Sequence, residues 1–240
     1  MCFSNSLSKK SQEIENRFSA KFENGVDFKP IYHASGFAFP LWPVITTENP
    51  TKIQIYQWGL IPHWIKGLED ALKFRTNTLN ARTESVFEKP SFKYSIGKKR
   101  CLVLSTGFYE WHDSDNKKYP YFIKLKDDDL FAIAGIFVNW LDKSTGELIN
   151  SFTILTTSAN PLLEKIHNLR KRMPVIVQSN KEKEWLQPNL TDEKIKSFFT
   201  PYNEQKMTAH TISKLITSRK FNSNVPEVQN EYIYPELKTI

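Results

Sequence analysis

Four apolar segments between residues 100 and 159 constrain the fold more than any other part of the chain. Each is rich in β-branched and aromatic residues, which favours strands, and charged turns such as DSDNKK and DKSTGE interrupt the series. The four segments are RCLVLSTGFYEWH, YPYFIKL, LFAIAGIFVNW and SFTILTTSA. Consecutive strands joined by short turns predict a large, mostly antiparallel sheet.

Shorter elements are predicted on the N-terminal side of these strands. Residues 6–22 place Ile14, Phe18 and Phe22 four residues apart, on one face of a helix that starts after Cys2. Two further segments are predicted here: a strand at the start of 52–64 and a short helix that runs into a loop over 68–85.

The C-terminal side mixes helices and strands. Asn160 is the expected N-cap of a helix that begins at Pro161 and carries His167 on its apolar side. The remaining predicted elements are a strand at 173–178, two short helices capped by Ser179 and Thr191, and a strand at 207–213. Together the patterns predict an α+β fold in one domain over residues 2–237, with a curled, mostly antiparallel, barrel-like β-sheet core and peripheral helices.

Composition excludes several classes of protein. With 40% hydrophobic and 25% charged residues, the chain of 240 residues is typical of a globular domain. It contains no apolar run near the roughly 20 residues that span a bilayer, so we expect a soluble protein of the cytosol. Cys2 and Cys101 are too few for a disulfide framework, and no Cys or His spacing is typical of zinc ligands. We therefore predict no metal and no cofactor.

The net charge of +7 favours an anionic partner such as nucleic acid. Basic residues gather at 98–100, 170–172 and 218–220. A merely solvated basic surface is the alternative that charge alone leaves open.

Cys2 is the first candidate for chemistry because it directly follows the initiator methionine. That methionine is usually removed when a small residue follows it, which would leave one residue with both an α-amine and a thiol. Their ordinary pKa values are about 7.7–8.0 and about 8.5, so each is partly nucleophilic near neutral pH. Such a 1,2-aminothiol condenses with aldehydes to a five-membered thiazolidine. The alternative is that Cys2 is an incidental small residue.

Glu110 and His167 are candidates for proton transfer. Glu110 lies between Tyr109 and Trp111 at the end of a strand, where burial would raise the pKa of its carboxyl group. The alternation of the strand fits a solvent-exposed Glu110 equally well. His167 has the ordinary pKa of a general acid or base, about 6.5, although a lone histidine in this place also fits a hydrogen-bonded core residue.

Two further segments carry groups that could bind a substrate. In NTLNARTES, Asn80 could hold an intermediate by hydrogen bonds and Arg82 could bind a phosphate, although such strings are also ordinary turns. In WGLIPHW, we expect Trp58 to lie in the core and Trp64 to be exposed, where its ring could stack on a base.

These motifs, taken in order, resemble the SOS-response-associated peptidase (SRAP) family, the abasic-site-processing proteins. The resemblance runs over essentially the whole chain. The motifs that carry it are Met-Cys at the start, WGLIPHW, NAR with a following TES, GFYEW and IHNLRKRMPVIV.

The resemblance implies a single-domain α+β fold around a barrel-like core, and a monomer that binds abasic sites in single-stranded DNA. Cys2 would form a thiazolidine with the ring-opened sugar after removal of Met1, which is proposed to be autocatalytic. Asn80 would orient the nucleophile, while Glu110 and His167 would move protons. The implied DNA-binding residues are Arg82 and Arg172, with Thr156 beside them, and Trp64. The protein would work in the bacterial cytosol, at the nucleoid when bound to DNA.

The chain also departs from the family pattern. Most members begin Met-Cys-Gly-Arg, whereas Phe3 and Ser4 follow Cys2 here. The stretch HASG at 33–36 replaces a more usual Asn-containing Ala-Pro stretch, and NLRK lengthens the link between His167 and Arg172.

Two other functions use the same residues. In the first, Cys2 is the N-terminal nucleophile of a cysteine hydrolase or peptidase that acts on amides, with His167 as base. In the second, the protein is a non-enzymatic reader of nucleic acid in which Cys2 is incidental.

Overall fold

The computed structural model describes residues 2–218 and 220–237. Met1, whose removal is predicted, and Arg219 of the third basic group lie outside the described residues. The strands, numbered in chain order, are β1 (Ser4–Leu7), β2 (Lys21–Phe22), β3 (Ile31–Ser35), β4 (Leu41–Thr46), β5 (Asn49–Trp58), β6 (Asn80–Arg82), β7 (Arg100–Ser105), β8 (Gly107–Ser114), β9 (Lys117–Leu125), β10 (Phe131–Leu141), β11 (Leu148–Ser158), β12 (Arg172–Pro174), β13 (Ile176–Val177) and β14 (Met207–Thr211). The α-helices are α1 (Ser11–Phe18), α2 (Leu68–Phe74), α3 (Lys93–Ile96), α4 (Pro161–Ile166), α5 (Glu182–Trp185) and α6 (Asp192–Lys196). Short 3₁₀ helices span Glu23–Gly25, Gly36–Ala38, Arg75–Thr78, Ser179–Lys181, Glu204–Lys206, Lys214–Thr217 and Pro226–Gln229.

Five strands close into a barrel in the order β5, β4, β7, β10, β11 and back to β5. The closing contact is parallel, with Ser151 opposite Gln57 and Phe152 opposite Trp58, while the other four pairings are antiparallel. Four short strands extend the barrel: β2 beside β5, β6 and β12 beside β11, and β13 beside β10. The predicted α+β fold with a mostly antiparallel, barrel-like core is confirmed.

Buried indoles and one glycine fix the packing of the barrel. Trp42, Trp58 and Trp185 are fully buried, and each indole N–H donates to a backbone carbonyl at 2.8–2.9 Å. A Cβ atom at Gly135 would lie 2.8 Å from the carbonyl oxygen of Thr153, so only glycine lets β10 and β11 approach this closely. The expected core position of Trp58 is confirmed.

A second sheet, in the order β14, β9, β8, β1, β3, is antiparallel throughout. Asp115 and Asn116 turn β8 into β9 with φ of 49° and 59°, the left-handed conformation that a tight hairpin requires. Strand β1 lies between β8 and β3, with Ser4 opposite Tyr109 on one side and Ser35 on the other. Residues 4–7, close to the N-terminus, therefore form a strand with a neighbour on each side.

Several element boundaries differ from the sequence prediction. Helix α1 ends at Phe18 because Ser19 adopts the left-handed conformation, with φ of 51°, so Phe22 lies in β2 rather than on the helix. The side chain of Ser179 caps nothing, since its segment is a 3₁₀ turn that leads into α5. The strand predicted at 173–178 is divided, because β12 pairs with β11 and β13 pairs with β10.

The predicted caps of two helices are confirmed. The side chain of Asn160 accepts the Leu163 N–H at 2.9 Å, and that of Thr191 accepts the Lys194 N–H at 3.3 Å. In the described ranges, no helix is long and apolar enough to cross a membrane.

Candidate functional site

Cys2 lies two residues before β1 and is fully buried. Its Sγ is 3.7 Å from the carbonyl oxygen of Ser4. Burial raises the pKa of the thiol, and the nearby charge of Glu110 raises it further. Because a thiol of raised pKa stays protonated near neutral pH, this arrangement holds a neutral thiol beside a carboxyl group.

Glu110 lies on β8 and faces the interior, not solvent. Burial raises the pKa of its carboxyl group to about 7. Its Oε1 is 3.8 Å from Nδ1 of His167. A carboxyl group with this pKa can both accept and donate a proton at neutral pH.

His167 follows the last residue of α4 and is its C-cap, rather than a residue on the helix face as predicted. Its Nδ1–H donates to the carbonyl oxygen of Arg172 at 3.0 Å, which leaves Nε2 as the basic nitrogen of the neutral ring. Burial lowers the pKa of His167 to about 4, so the imidazole is neutral near pH 7.

The loop that follows His167 is longer than in the family pattern, but backbone hydrogen bonds hold it to His167. The carbonyl oxygen of His167 accepts the N–H of Arg170 at 3.2 Å and that of Lys171 at 2.8 Å. Lys171 has a left-handed φ of 47°. The NLRK segment therefore returns Arg172 to His167.

The guanidinium of Arg172 is held inside the protein. It makes a bidentate ion pair with Glu84 and also donates to the carbonyl and hydroxyl oxygens of Thr156. Thr156 itself is fully buried. The prediction that Thr156 lies beside the two arginines is confirmed, since it also stands opposite Arg82 between β6 and β11.

Strand β6 replaces the polar loop that the sequence predicts at this position. Asn80 pairs with Ile154 and is buried, and neither side-chain amide atom of Asn80 has a hydrogen-bond partner among the described residues. Arg82, two residues further on, is exposed. A buried amide without partners is ready to bind a ligand's polar atoms.

Several of the predicted site residues lie close together in one series. The charge of Glu110 is near enough to raise the pKa of Cys2, Glu110 lies beside His167, and His167 binds Arg172. Trp64 lies outside this series: it is 45% exposed, as predicted, and its ring contacts Phe74 at 5.0 Å. It borders a separate cavity of about 460 Å³ lined by Trp64, Ile65, Lys66, Asp70, Lys73, Phe74 and Asn77.

Two of the three basic groups differ from the predicted surface patches. Arg100 is fully buried and donates to four backbone carbonyls, among them those of Ile96 and Trp185. Arg172 is paired with Glu84.

Within the described residues, no group of three or more His, Cys, Asp or Glu side chains is arranged to hold a metal ion.

Comparison of the sequence with known protein families identifies the family of this chain. The sequence profile of the family described as SOS response associated peptidase (SRAP) matches residues 1–219. The chain belongs to the SRAP family. It is similar to abasic site processing protein YoqW of Bacillus subtilis, with 40% identity over 197 residues, which cover 80% of this chain and 84% of the relative.

One further relative and one solved structure also match the chain. Abasic site processing protein HMCES of Pongo abelii is 32% identical over 201 residues, which cover 71% of this chain and 54% of the relative. A crystal structure of a protein from Bacteroides thetaiotaomicron superimposes with a TM-score of 0.91 at 39% identity, over 97% of this chain and all of that chain.

A segment beyond the SRAP match holds the site strands together. We define residues 222–230 as the C-terminal brace. Within it, the amide nitrogen of Gln229 donates to Ser6 Oγ of β1 at 2.7 Å, to the carbonyl oxygen of Tyr32 of β3 at 3.1 Å and to the hydroxyl of Tyr109 of β8 at 3.3 Å. Sequence patterns gave no signal for Gln229, since its partners are distant in the chain.

The raised pKa of Glu110 makes stability depend on pH. The carboxyl group releases its proton near its ordinary value of 4.5 in the unfolded chain and at about 7 in the folded chain. Between these values only the folded state holds the proton, so the free energy of unfolding falls as the pH rises. At about 1.36 kcal/mol per pH unit, we expect the wild type to lose up to about 3 kcal/mol relative to Glu110→Gln between about pH 4.5 and pH 8.

Urea unfolding of both proteins across this range measures the difference. Glu164→Gln, which changes an exposed carboxylate on α4, is the matched control and should follow the wild type at every pH. A constant difference between wild type and Glu110→Gln would show that the Glu110 carboxyl group titrates normally.

Proposed function

We propose that this SRAP protein binds abasic sites in single-stranded DNA and forms a covalent crosslink to the open sugar through Cys2. The observation that carries the proposal is the placement of Cys2 beside Glu110, whose pKa is about 7, with His167 3.8 Å from that carboxyl group. The names of the related proteins, which refer to abasic site processing, support the same function. We expect it to act as a monomer in the cytosol.

The proposed reaction joins an aldehyde to an aminothiol with loss of one water molecule. Once Met1 has been removed, the α-amine of Cys2 attacks the aldehyde carbon of the ring-opened deoxyribose, and water leaves to give an imine. The thiol sulfur then bonds to the imine carbon, and the thiol proton is passed to the nitrogen. The product is a thiazolidine, which has no imine left to promote β-elimination and strand cleavage.

Glu110 is the proposed proton carrier for each of these steps. Its pKa of about 7 provides both protonation states at neutral pH, so it can give a proton to the ring oxygen and accept one during thiazolidine closure. His167 is a poor proton donor because its pKa is about 4. The sequence left both groups as candidates for proton transfer. We assign protonation of the sugar oxygen to Glu110 and give neutral His167 the role of orienting it.

The DNA path is proposed to cross β6. Exposed Arg82 would bind a phosphate, and the amide of Asn80 would bind the sugar or the intermediate. Arg172 and Thr156 would support this path indirectly and would not touch the DNA, because both are buried and Arg172 donates to Thr156. Trp64 would stack on a base further along the strand.

The test uses a single-stranded oligonucleotide with one abasic site. Purified protein should give a heat-stable adduct that migrates slowly on a denaturing gel. An oligonucleotide with a tetrahydrofuran residue at the same position has no aldehyde, so it should bind but give no adduct. Equal yields from both oligonucleotides, or none from either, would refute aldehyde capture.

A further inference from the structure

An aromatic pair, with one ring half-buried and the other exposed, lies directly beside the residue proposed to react. Phe3 follows Cys2 in the chain, and its ring centroid is 4.8 Å from that of Phe37 at an interplanar angle of 41°. Phe37 is 55% exposed, and Leu41, the first residue of β4, is 62% exposed. Large apolar side chains that gather on the surface usually mark a binding site.

The turn that carries Phe37 is fixed to the N-terminal strand. The Gly36 N–H donates to the carbonyl oxygen of Phe3 at 2.7 Å, directly after the pairing of Ser35 with Ser4. Gly36 packs on the Trp58 indole so closely that an added Cβ would lie 3.2 Å from the ring. Phe37 therefore keeps its position relative to Cys2 as well as to the barrel.

The position of the Phe3–Phe37 pair beside Cys2 indicates which ligand it would bind. If Cys2 holds the sugar that lacks a base, the next nucleotide of the strand lies beside it. Phe3 directly follows Cys2 in the chain, so Phe3 and its partner Phe37 are placed next to that nucleotide. Aromatic rings stack on any base through its π-face, without sequence preference.

We infer that Phe3 and Phe37 form a stacking site for the nucleobase adjacent to the abasic nucleotide. This inference rests on the proposed function. The family pattern usually has an arginine at position 4, where this chain has Ser4. Ser4 is buried in the sheet and presents no side chain to a bound strand, whereas Phe37 is 55% exposed. Stacking depends less on salt than a phosphate contact does.

The fluorescence of 2-aminopurine next to the lesion tests the inference. The probe is a tetrahydrofuran oligonucleotide with 2-aminopurine at the flanking position, so the measurement needs no crosslink. Wild-type protein should quench the fluorescence, whereas Phe37→Ala should leave most of it and should need about tenfold more DNA for half-saturation, as expected for the loss of one stacked base. Phe37→Tyr retains an aromatic ring and should restore both the quenching and the affinity.

Tyr94→Ala is the matched control because it removes another exposed aromatic ring, 64% exposed, from α3. It should quench like the wild type. If Phe37→Ala quenched fully and bound with unchanged affinity, the stacking site would be refuted, whether or not the protein crosslinks true abasic DNA. If Phe37→Ala lost quenching while the wild type formed no adduct, the stacking site would stand and only the proposed chemistry would fail.

Discussion

Cys2→Ala is expected to form no heat-stable adduct with abasic single-stranded DNA. Alanine keeps the α-amine but lacks the sulfur that closes the thiazolidine, so the reaction stops at a reversible imine. Because Cys2 is fully buried two residues before β1 and alanine is smaller, the fold should tolerate the change. The imine also favours β-elimination, so we expect nicked DNA where the wild type gives adduct.

Denaturing gels with and without borohydride measure both products. Borohydride reduces an imine to a stable amine, so Cys2→Ala and Cys2→Ser should show a shifted band only with the reductant. Cys101→Ala removes the other cysteine, which is buried in the barrel, and should crosslink like the wild type. A heat-stable adduct from Cys2→Ala without reductant would overturn the thiazolidine mechanism. Unchanged DNA affinity, with no covalent product even from the wild type, would favour the nucleic-acid reader.

An extra residue ahead of Cys2 is expected to abolish the crosslink as completely as loss of the thiol. The extension turns the α-amine into an amide, whose nitrogen does not attack an aldehyde. The thiol, Glu110 and His167 all remain. A retained Met1 should have the same effect as an added tag.

A cleavable leader that ends directly before Cys2 allows this comparison on one preparation. Uncleaved protein should give no adduct, and cleavage should restore the full yield. A peptide amide substrate included in parallel tests the hydrolase alternative, because a cysteine hydrolase with His167 as base needs only the thiol. Full crosslinking by the uncleaved protein would mean that the amine takes no part.

The sequence predicted the barrel well because its strands are long and apolar. Strands β7, β10 and β11 read as continuous runs of buried residues, as expected for strands that line a closed core. It failed at β1, whose sequence SNSL is polar although all four residues are buried. Side-chain hydrogen bonds make that burial possible, for example from Ser105 Oγ to Asn5 Oδ1 at 2.7 Å, and hydrophobic periodicity does not detect them.

The sequence identified the candidate residues whose chemistry is distinctive. It did not identify the side chains with which those residues form hydrogen bonds and ion pairs. Cys2, Glu110 and His167 were recognisable by type and motif, and the structure places Glu110 beside His167 and close enough to Cys2 to raise the pKa of its thiol. The sequence could not reveal that Arg172 is bound to Glu84, because their ion pair joins positions 88 residues apart. The raised pKa of Glu110 agrees with the expectation from its aromatic neighbours, but the sequence could not show that burial lowers the pKa of His167, which decides the proposed roles of the two groups.

The C-terminal brace is also the last part of the site region to be synthesised. Ser6 and Gln229 are 223 residues apart, so the ribosome completes β1 long before it makes the segment that ties β1 to β3 and β8. During that interval β1 lacks the three hydrogen bonds through which Gln229 joins it to β3 and β8. The strand that follows Cys2 is therefore fully tied to both neighbours only after nearly all of the sequence has been translated.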